Sequence, residues 1–146
     1  AEISVNAALT GHLLLSTFHS NDAATGIPRL LDMGIEPFLL SSSLLGVVAQ
    51  RLVRKLCIYC RQKEGLYWHE VGCDKCSQTG YHGRVGIYEL MLTTDQIRRQ
   101  IHDRAGEAEI RASAQIGGMR LMREDGERWL SNGTTSQSEL LRVTKE

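Results

Sequence analysis

All four cysteines of the chain fall into two C-x2-C pairs that are separated by twelve residues. Each pair spans one tight turn, so both of its thiolates can face a single point, and two such turns supply the tetrahedron of sulfurs that structural zinc takes. Two disulfides or four free thiols are the alternatives, but C-x2-C pairs are a poor disulfide framework in a chain of this size. The predicted metal ligands are Cys57, Cys60, Cys73 and Cys76. Because all four ligands come from the protein, no coordination position stays open, and we expect the metal to stabilise the fold rather than to catalyse.

The charge balance and the length of the chain restrict the classes of protein to which it can belong. The 146 residues hold 17 basic and 17 acidic side chains, a balance that argues against a general nucleic-acid binder. The longest apolar stretch, residues 38–49, is too short to span a bilayer. Unpaired thiols are typical of the reducing cytoplasm. Because Ala1 lies inside what resembles a structural element, we expect the chain to be a fragment of a longer protein.

The N-terminal half predicts an α/β arrangement. Residues 4–9 are expected to end a helix that Gly11 closes, and the apolar run at 13–18 to form a strand buried on both faces of a parallel sheet. A helix is predicted over residues 22–33, with Pro28 kinking it or marking its first turn. A second helix is predicted to begin at Pro37 and to end in the basic residues Arg51, Arg54 and Lys55.

The C-terminal half is predicted to combine one strand with several helices. Residues 61–72 between the cysteine pairs resemble a hairpin, and 85–90 alternate in the manner of a strand. Thr93 and Gln96 form a capping-box pattern before one helix, and Ser136 with Glu139 forms another before the last helix. Amphipathic segments between them predict two further helices, the first broken at residues 117–118.

Two histidines flank the predicted buried strand, His12 before it and His19 after it. Ordinary polar residues at strand ends are one interpretation. The other is a phosphate contact, because ligands bind at the carboxyl ends of parallel strands and an imidazole can sense or neutralise a terminal phosphate. No G-x-x-x-x-G-K-[ST] motif and no candidate magnesium-binding aspartate accompany them. The chain alone is therefore not expected to bind and hydrolyse a nucleotide.

A group of basic residues surrounds the cysteine element in sequence. Solvated charge at a helix end, a nucleic-acid face and a contact with another subunit are the open interpretations. Acidic residues nearby weaken the nucleic-acid interpretation, and no nucleic-acid partner is expected. The group consists of Arg51, Arg54, Lys55, Arg61 and Arg84.

Four stretches resemble the ATPases of type II secretion and type IV pilus assembly. Residues 10–23 are similar to the histidine box of that family, and residues 29–38, 49–57 and 80–89 are similar to further family motifs in the same order. The tetracysteine element matches the branch that powers assembly and secretion, since the pilus-retraction branch usually lacks it. The resemblance implies a RecA-like P-loop ATPase that works as a homo-hexamer at the cytoplasmic face of the bacterial inner membrane and binds ATP and magnesium.

Carried over to this chain, the resemblance gives each part a role. His12 and His19 would sense the nucleotide phosphates, and the four cysteines would hold a zinc subdomain that can dock on an inner-membrane platform protein and other secretion or pilus components. Residues 1–56 would be the C-terminal part of the ATPase core, 57–81 the zinc subdomain, and 82–146 a strand with a helical C-terminal region. The phosphate-binding loop and magnesium site would precede Ala1, so the fragment would be inactive alone. A free-standing zinc-stabilised module that binds protein or RNA is the alternative.

Overall fold

A computed structural model describes residues 2–145, apart from the side chains of Glu2 and Ser4. The chain forms two compact units. The first combines the residues up to Ala49 with Glu89–Arg120, and the second combines Gln50–Tyr88 with the residues from Leu121 onward. The chain therefore passes from the first unit to the second and back before the second unit is completed.

The first unit is built mainly from helices. α1 ends as predicted, because the Gly11 and His12 amides donate to the carbonyls of Ala8 and Ala7, and Gly11 adopts a φ of +90°. α3 packs against α1 and α4, and α4 packs against α5. Apolar side chains such as Ile27, Leu40 and Ile97 are buried between them. The helices are α1 (Glu2–Leu9), α2 (Gly26–Asp32), α3 (Pro37–Ser43), α4 (Asp95–His102) and α5 (Glu107–Ile116).

Two long strands, β1 (Gly46–Leu56) and β4 (Tyr81–Leu92), pair with each other. The Thr93 amide donates to the Leu45 carbonyl at 3.0 Å, and the Cys57 amide donates to the Gly80 carbonyl at 2.8 Å. Because the start of one strand lies beside the end of the other at both points, the pair is antiparallel. The predicted strand at 85–90 is thus confirmed as part of β4.

The second unit holds the cysteine element and two further helices. β2 (Gln62–Glu64) and β3 (Tyr67–His69) form the antiparallel hairpin predicted between the cysteine pairs, with Gly65 at a φ of +59° in its turn. α6 (Met122–Ser131) and α7 (Gln137–Thr144) follow. The longest helices have ten residues, and within residues 2–145 no helix is long and apolar enough to cross a membrane.

The predicted buried strand at residues 13–18 is wrong. Residues 12–20 have no regular secondary structure, and the side chains of Leu13 and Leu15 are 78% and 91% exposed. A strand must share its backbone hydrogen bonds with a neighbour, and within residues 2–145 the sheets contain only β1 with β4 and β2 with β3. The apolar run therefore lacks the partners that its sequence pattern expects.

The predicted helix from Pro37 to the basic residues that end at Lys55 is also wrong beyond its first two turns. α3 ends at Ser43, and β1 begins at Gly46. The apolar residues after Gly46 include Val47, Val48 and Val53, whose β-branched side chains favour strand over helix. The helix predicted over 22–33 is shorter in the structure, because α2 begins only at Gly26 and places Pro28 in its first turn.

Candidate metal centre and histidine segment

The four cysteine sulfurs converge on one point in the second unit, as predicted. All four Sγ atoms lie within 4.8 Å of one another. The Sγ–Sγ distance is 3.9 Å between Cys57 and Cys73, and 3.8 Å from Cys76 to both Cys60 and Cys73. A metal–sulfur bond of about 2.3 Å places the corners of a tetrahedron about 3.8 Å apart, whereas a disulfide needs a bond of about 2.05 Å. The arrangement fits a metal ion held by four sulfurs, and it excludes disulfides among the four.

Two turns aim the cysteines at this point. Cys57 follows β1 directly, and the amides of Cys60 and Arg61 donate to its carbonyl at 3.3 and 2.9 Å. The second pair lies on a single 3-10 turn, after which Ser77 and Gln78 both adopt a positive φ. Their left-handed backbone lets the Gln78 amide return to the Cys73 carbonyl at 2.9 Å. The geometry of each turn is thus fixed by local backbone bonds.

Backbone N–H groups also point at the sulfurs. The Cys76 Sγ accepts from the amides of Cys73 and Gly80 at 3.3 and 3.2 Å, and the Cys60 Sγ accepts from the Gly72 amide at 3.3 Å. Burial opposes ionisation of the Cys76 thiol, but these backbone donors outweigh it and lower its pKa to about 6. Burial and the neighbouring thiols raise the pKa of Cys60 to about 11. The backbone donors therefore favour the thiolate form of Cys76, which is the form that binds a metal.

Two of the basic residues predicted around the cysteine element have structural partners. Arg61 donates to the Gly133 carbonyl and lies 4.6 Å from the centre of the Trp68 ring. Arg54 lies 4.1 Å from the centre of the Tyr81 ring and forms a salt bridge of 2.7 Å to Glu139. These two arginines therefore hold the second unit together instead of forming a uniformly solvated charge patch.

Glu139 is the centre of a network that the sequence did not predict. Its side chain is fully buried, and it accepts from the Arg54 amide at 3.0 Å, from the Arg54 guanidinium and from two nitrogens of Arg142 at 2.8 Å. Burial opposes its ionisation, but the bonds from Arg142 and Arg54 lower its pKa to about 2. The predicted cap at Ser136 forms, since its hydroxyl accepts from the Glu139 amide. The Glu139 carboxylate instead joins α7 to β1.

The two predicted phosphate-contacting histidines lie in the first unit at the ends of the exposed 12–20 segment. Both side chains are accessible to solvent. The His12 ring nitrogen Nδ1 lies 3.1 Å from the Thr10 hydroxyl. The ring of Phe18, next to His19, lies against α2, where a Cβ on Gly26 would come within 2.9 Å of it. The segment thus offers both imidazoles to solvent while its end near His19 contacts the helix.

Three residues after His19 the chain is anchored by Asp22. The Asp22 carboxylate accepts from the Thr25 amide and from the Arg111 guanidinium, both at 2.8 Å. Burial acts against the charged form of Asp22, but the Thr25 amide and Arg111 outweigh it, so the pKa of this carboxyl is lowered. The Ala23 amide donates to the buried carboxylate of Glu89 at 3.0 Å. The sequence analysis places Asp22 at the start of the helix predicted over 22–33, and it singles out neither Arg111 nor Glu89.

Comparison with known proteins places the chain in a family. A family model described as "Type II/IV secretion system protein" matches residues 1–142. The chain belongs to this family. It is 56% identical over 146 residues to the type II secretion system protein HxcR of Pseudomonas aeruginosa, covering all of this chain and 31% of that relative. It is 40% identical over 162 residues to the type IV pilus assembly ATPase TfpB of Acinetobacter baylyi, covering 98% of this chain and 28% of that relative.

The resemblance seen in the sequence motifs is therefore confirmed. This chain of the secretion family spans about three tenths of the length of these relatives. The chain is also 49% identical over 162 residues to the type II secretion system protein E of Dickeya dadantii, and the match covers 100% of this chain and 32% of that relative.

Solved structures show the same fold. The pilus retraction motor PilT with bound ADP matches with a TM-score of 0.69 and 22% identity, covering 99% of this chain and 36% of that one. The ATPase DotB of Yersinia pseudotuberculosis matches with a TM-score of 0.69 and 22% identity, covering 98% and 33%. The predicted fold class, an α/β part of a secretion-ATPase core with a tetracysteine subdomain, is confirmed.

Proposed function

We propose that this chain is the C-terminal part of the ATPase that powers type II protein secretion or type IV pilus assembly. The observation that carries the proposal is the match of residues 1–142 to the secretion family, in a chain that offers both His12 and His19 to solvent. Relatives that are named as type II secretion proteins and as a type IV pilus assembly ATPase support it. Within this proposal the chain contributes phosphate-sensing histidines and a metal site that stabilises the fold. The phosphate-binding loop and magnesium site belong to other parts of the protein.

The proposed role of the histidines is to report the terminal phosphate. A neutral imidazole donates one hydrogen bond to a phosphate oxygen, and an imidazolium also offsets its negative charge. Because the segment between the histidines has no regular structure, its conformation can change when a phosphate binds. This change would then transmit the occupancy of the nucleotide site to the rest of the first unit.

The proposed metal is zinc, and its role is structural. Sulfur separations of 3.8–3.9 Å suit a small tetrahedral ion, and four thiolate ligands are the set that structural zinc prefers. The metal would fix the two turns at Cys57 and Cys73 and support the hairpin between them. It would leave no position for water or substrate.

The proposed assembly rests on membership of the family. The whole protein would form a homo-hexamer, bind ATP with magnesium and act at the cytoplasmic face of the inner membrane. The zinc subdomain exposes Ile58 and Leu66, which are 69% and 82% accessible, and apolar side chains on a rigid turn suit contact with another protein. Its proposed partner is the inner-membrane platform protein.

The proposed function can be tested in the full-length protein that carries this sequence. We expect His19→Ala and His12→Ala to lower kcat for ATP hydrolysis on the order of 10²-fold, because each removes a group that would stabilise phosphate charge. His82→Ala removes another exposed histidine from the second unit and should leave kcat unchanged. Full activity in both histidine-segment variants would overturn the sensing role, and a full-length protein without ATPase activity would overturn the motor proposal.

A further inference from the structure

The position of His19 depends on the residues on either side of it. It belongs to the segment 12–20, which forms no helix or strand, so no regular backbone hydrogen-bond pattern holds it. A side chain that must meet a phosphate has to be held to within about 0.5 Å of its productive place. The Phe18 ring lies against Gly26 of α2, and the Ser20 hydroxyl donates to the Asp22 carbonyl at 3.0 Å, so His19 is linked on this side to the contacts that Asp22 makes.

Three contacts hold the turn over residues 22–25. The carboxylate of Asp22 binds the Thr25 amide inside the turn and Arg111 of α5 outside it, each at 2.8 Å. The Ala23 amide binds the Glu89 carboxylate of β4 at 3.0 Å. Ala23 and its neighbour Ala24 are completely buried. The turn is therefore tied to two elements that are distant in sequence.

The tie to Arg111 is a strong one. The side chains of Arg111 and Asp22 are only 22% and 15% exposed, so water screens their attraction weakly. Arg111 also binds Glu107 one turn earlier on α5, which fixes the direction of its guanidinium. A planar guanidinium held by two carboxylates orients its partners better than a lysine would.

From these contacts we propose that Arg111 and Glu89 are positioning residues for His19. They anchor the turn that follows it and link the histidine segment to α5 and β4. This inference rests on the proposed sensing role of His19 and extends it, because it names the elements to which a change at the phosphate would be transmitted. Neither residue touches the nucleotide in this proposal.

The test has two readouts, and the first needs no ATP. In the 146-residue chain, Arg111→Met should lower the heteronuclear NOE of the His19 amide to below about half of its original value, because the amide gains fast motion. Glu89→Leu should act in the same direction. The lysine of Arg111→Lys can still bind the Asp22 carboxylate, and the amide oxygen of Glu89→Gln can still accept from the Ala23 amide, so these two variants should keep most of the value. Arg99→Met, which removes an exposed arginine of α4, is the matched control and should change nothing.

The second readout is the kinetics of the full-length protein. Arg111→Met should lower kcat for ATP about tenfold with a KM within about twofold, because binding groups are intact while the sensing group is misplaced. Arg111→Lys should recover part of kcat. An unchanged NOE in both Arg111→Met and Glu89→Leu, or a changed NOE with unchanged kcat, would overturn the positioning role. A His19→Ala protein with full activity would instead show that the sensing proposal itself has failed.

Discussion

The cysteine element and the histidine segment differ in what they need in order to be structured. The cysteine element is held by bonds between near neighbours, such as the Gln78 amide to the Cys73 carbonyl at 2.9 Å. The histidine segment has an apolar run typical of a buried strand, yet Leu15 is 91% exposed. One element carries its partners within a short stretch of sequence, and the other requires strands that residues 2–145 do not supply.

This difference shows that metal ligation and sheet formation stabilise a segment in different ways. A metal that binds four side chains from two turns replaces a hydrophobic core, so a short element can be stable by itself. A buried parallel strand contributes nothing until neighbours cover both its faces. We therefore expect mutations to lower stability strongly in the cysteine element and very little in the histidine segment.

The largest effect is expected from removing one metal ligand. Cys73→Ser should abolish stable metal binding and unfold residues 57–80, because metal affinity on the order of 10 kcal/mol is coupled to folding in such sites. Metal analysis of the purified chain, together with circular dichroism, measures both effects. Tyr59→Ser, which alters an exposed side chain between two ligands, is the control and should keep the metal. Full metal content in Cys73→Ser would show that the four cysteines do not act together.

A smaller effect is expected at the buried carboxylate of the second unit. Glu139→Gln should lower the free energy of unfolding by about 2 kcal/mol, since it removes the charge that Arg54 and Arg142 share. The loss is moderate because the two arginine side chains are 44% and 59% exposed and can regain water. Urea denaturation measures it, with the exposed Glu127→Gln on α6 as the control. Equal stability of the two variants would mean that the network contributes nothing.

The same carboxylate gives a pH dependence with a defined sign. The pKa of Glu139 is lowered from 4.5 to about 2, so its stabilising contribution is present above pH 4.5 and is lost as the pH falls toward 2. The difference in unfolding free energy between the original chain and Glu139→Gln should therefore shrink between pH 6 and pH 3. Other carboxylates titrate in both proteins, so their contributions cancel in this difference. A free-energy difference that grows as the pH falls would contradict a stabilising role for the ionised Glu139 carboxylate.

The smallest effect is expected in the histidine segment. Leu15→Ala should change the free energy of unfolding by less than about 0.5 kcal/mol, because the side chain is already exposed. The same substitution at Leu40, which is 2% exposed in the same unit, should lower it by about 3 kcal/mol. Thermal and urea unfolding of the two variants give the comparison directly. A loss at Leu15 that matched the loss at Leu40 would show that the segment is packed in the isolated chain.

The sequence predicted best those features that depend on nearby residues. The convergence of the four cysteines, the hairpin between the cysteine pairs, the Ser136 cap and the end of α1 were all predicted correctly. Local spacing failed at β1, where a continuous apolar run is compatible with both helix and strand, and only pairing with β4 decides between them.

The candidate site shows the same limit. The histidines were singled out by motif, but the contacts of Glu89 with Ala23 and of Arg111 with Asp22 join positions 66 and 89 residues apart, respectively. Glu139 was expected to take part in a local capping box, yet its carboxylate binds Arg54, which lies 85 residues away. Single side chains of this kind carry no periodicity or spacing that reveals a distant partner.

One measurement tests the contrast between the two regions most directly: hydrogen–deuterium exchange across the metal-loaded 146-residue chain. We expect slow exchange at the Cys57 and Gln78 amides, which donate to the carbonyls of Gly80 and Cys73. We expect fast exchange throughout residues 13–18. Protection of 13–18 equal to that of the cysteine element would contradict the account, because the segment would then be a folded strand within this chain.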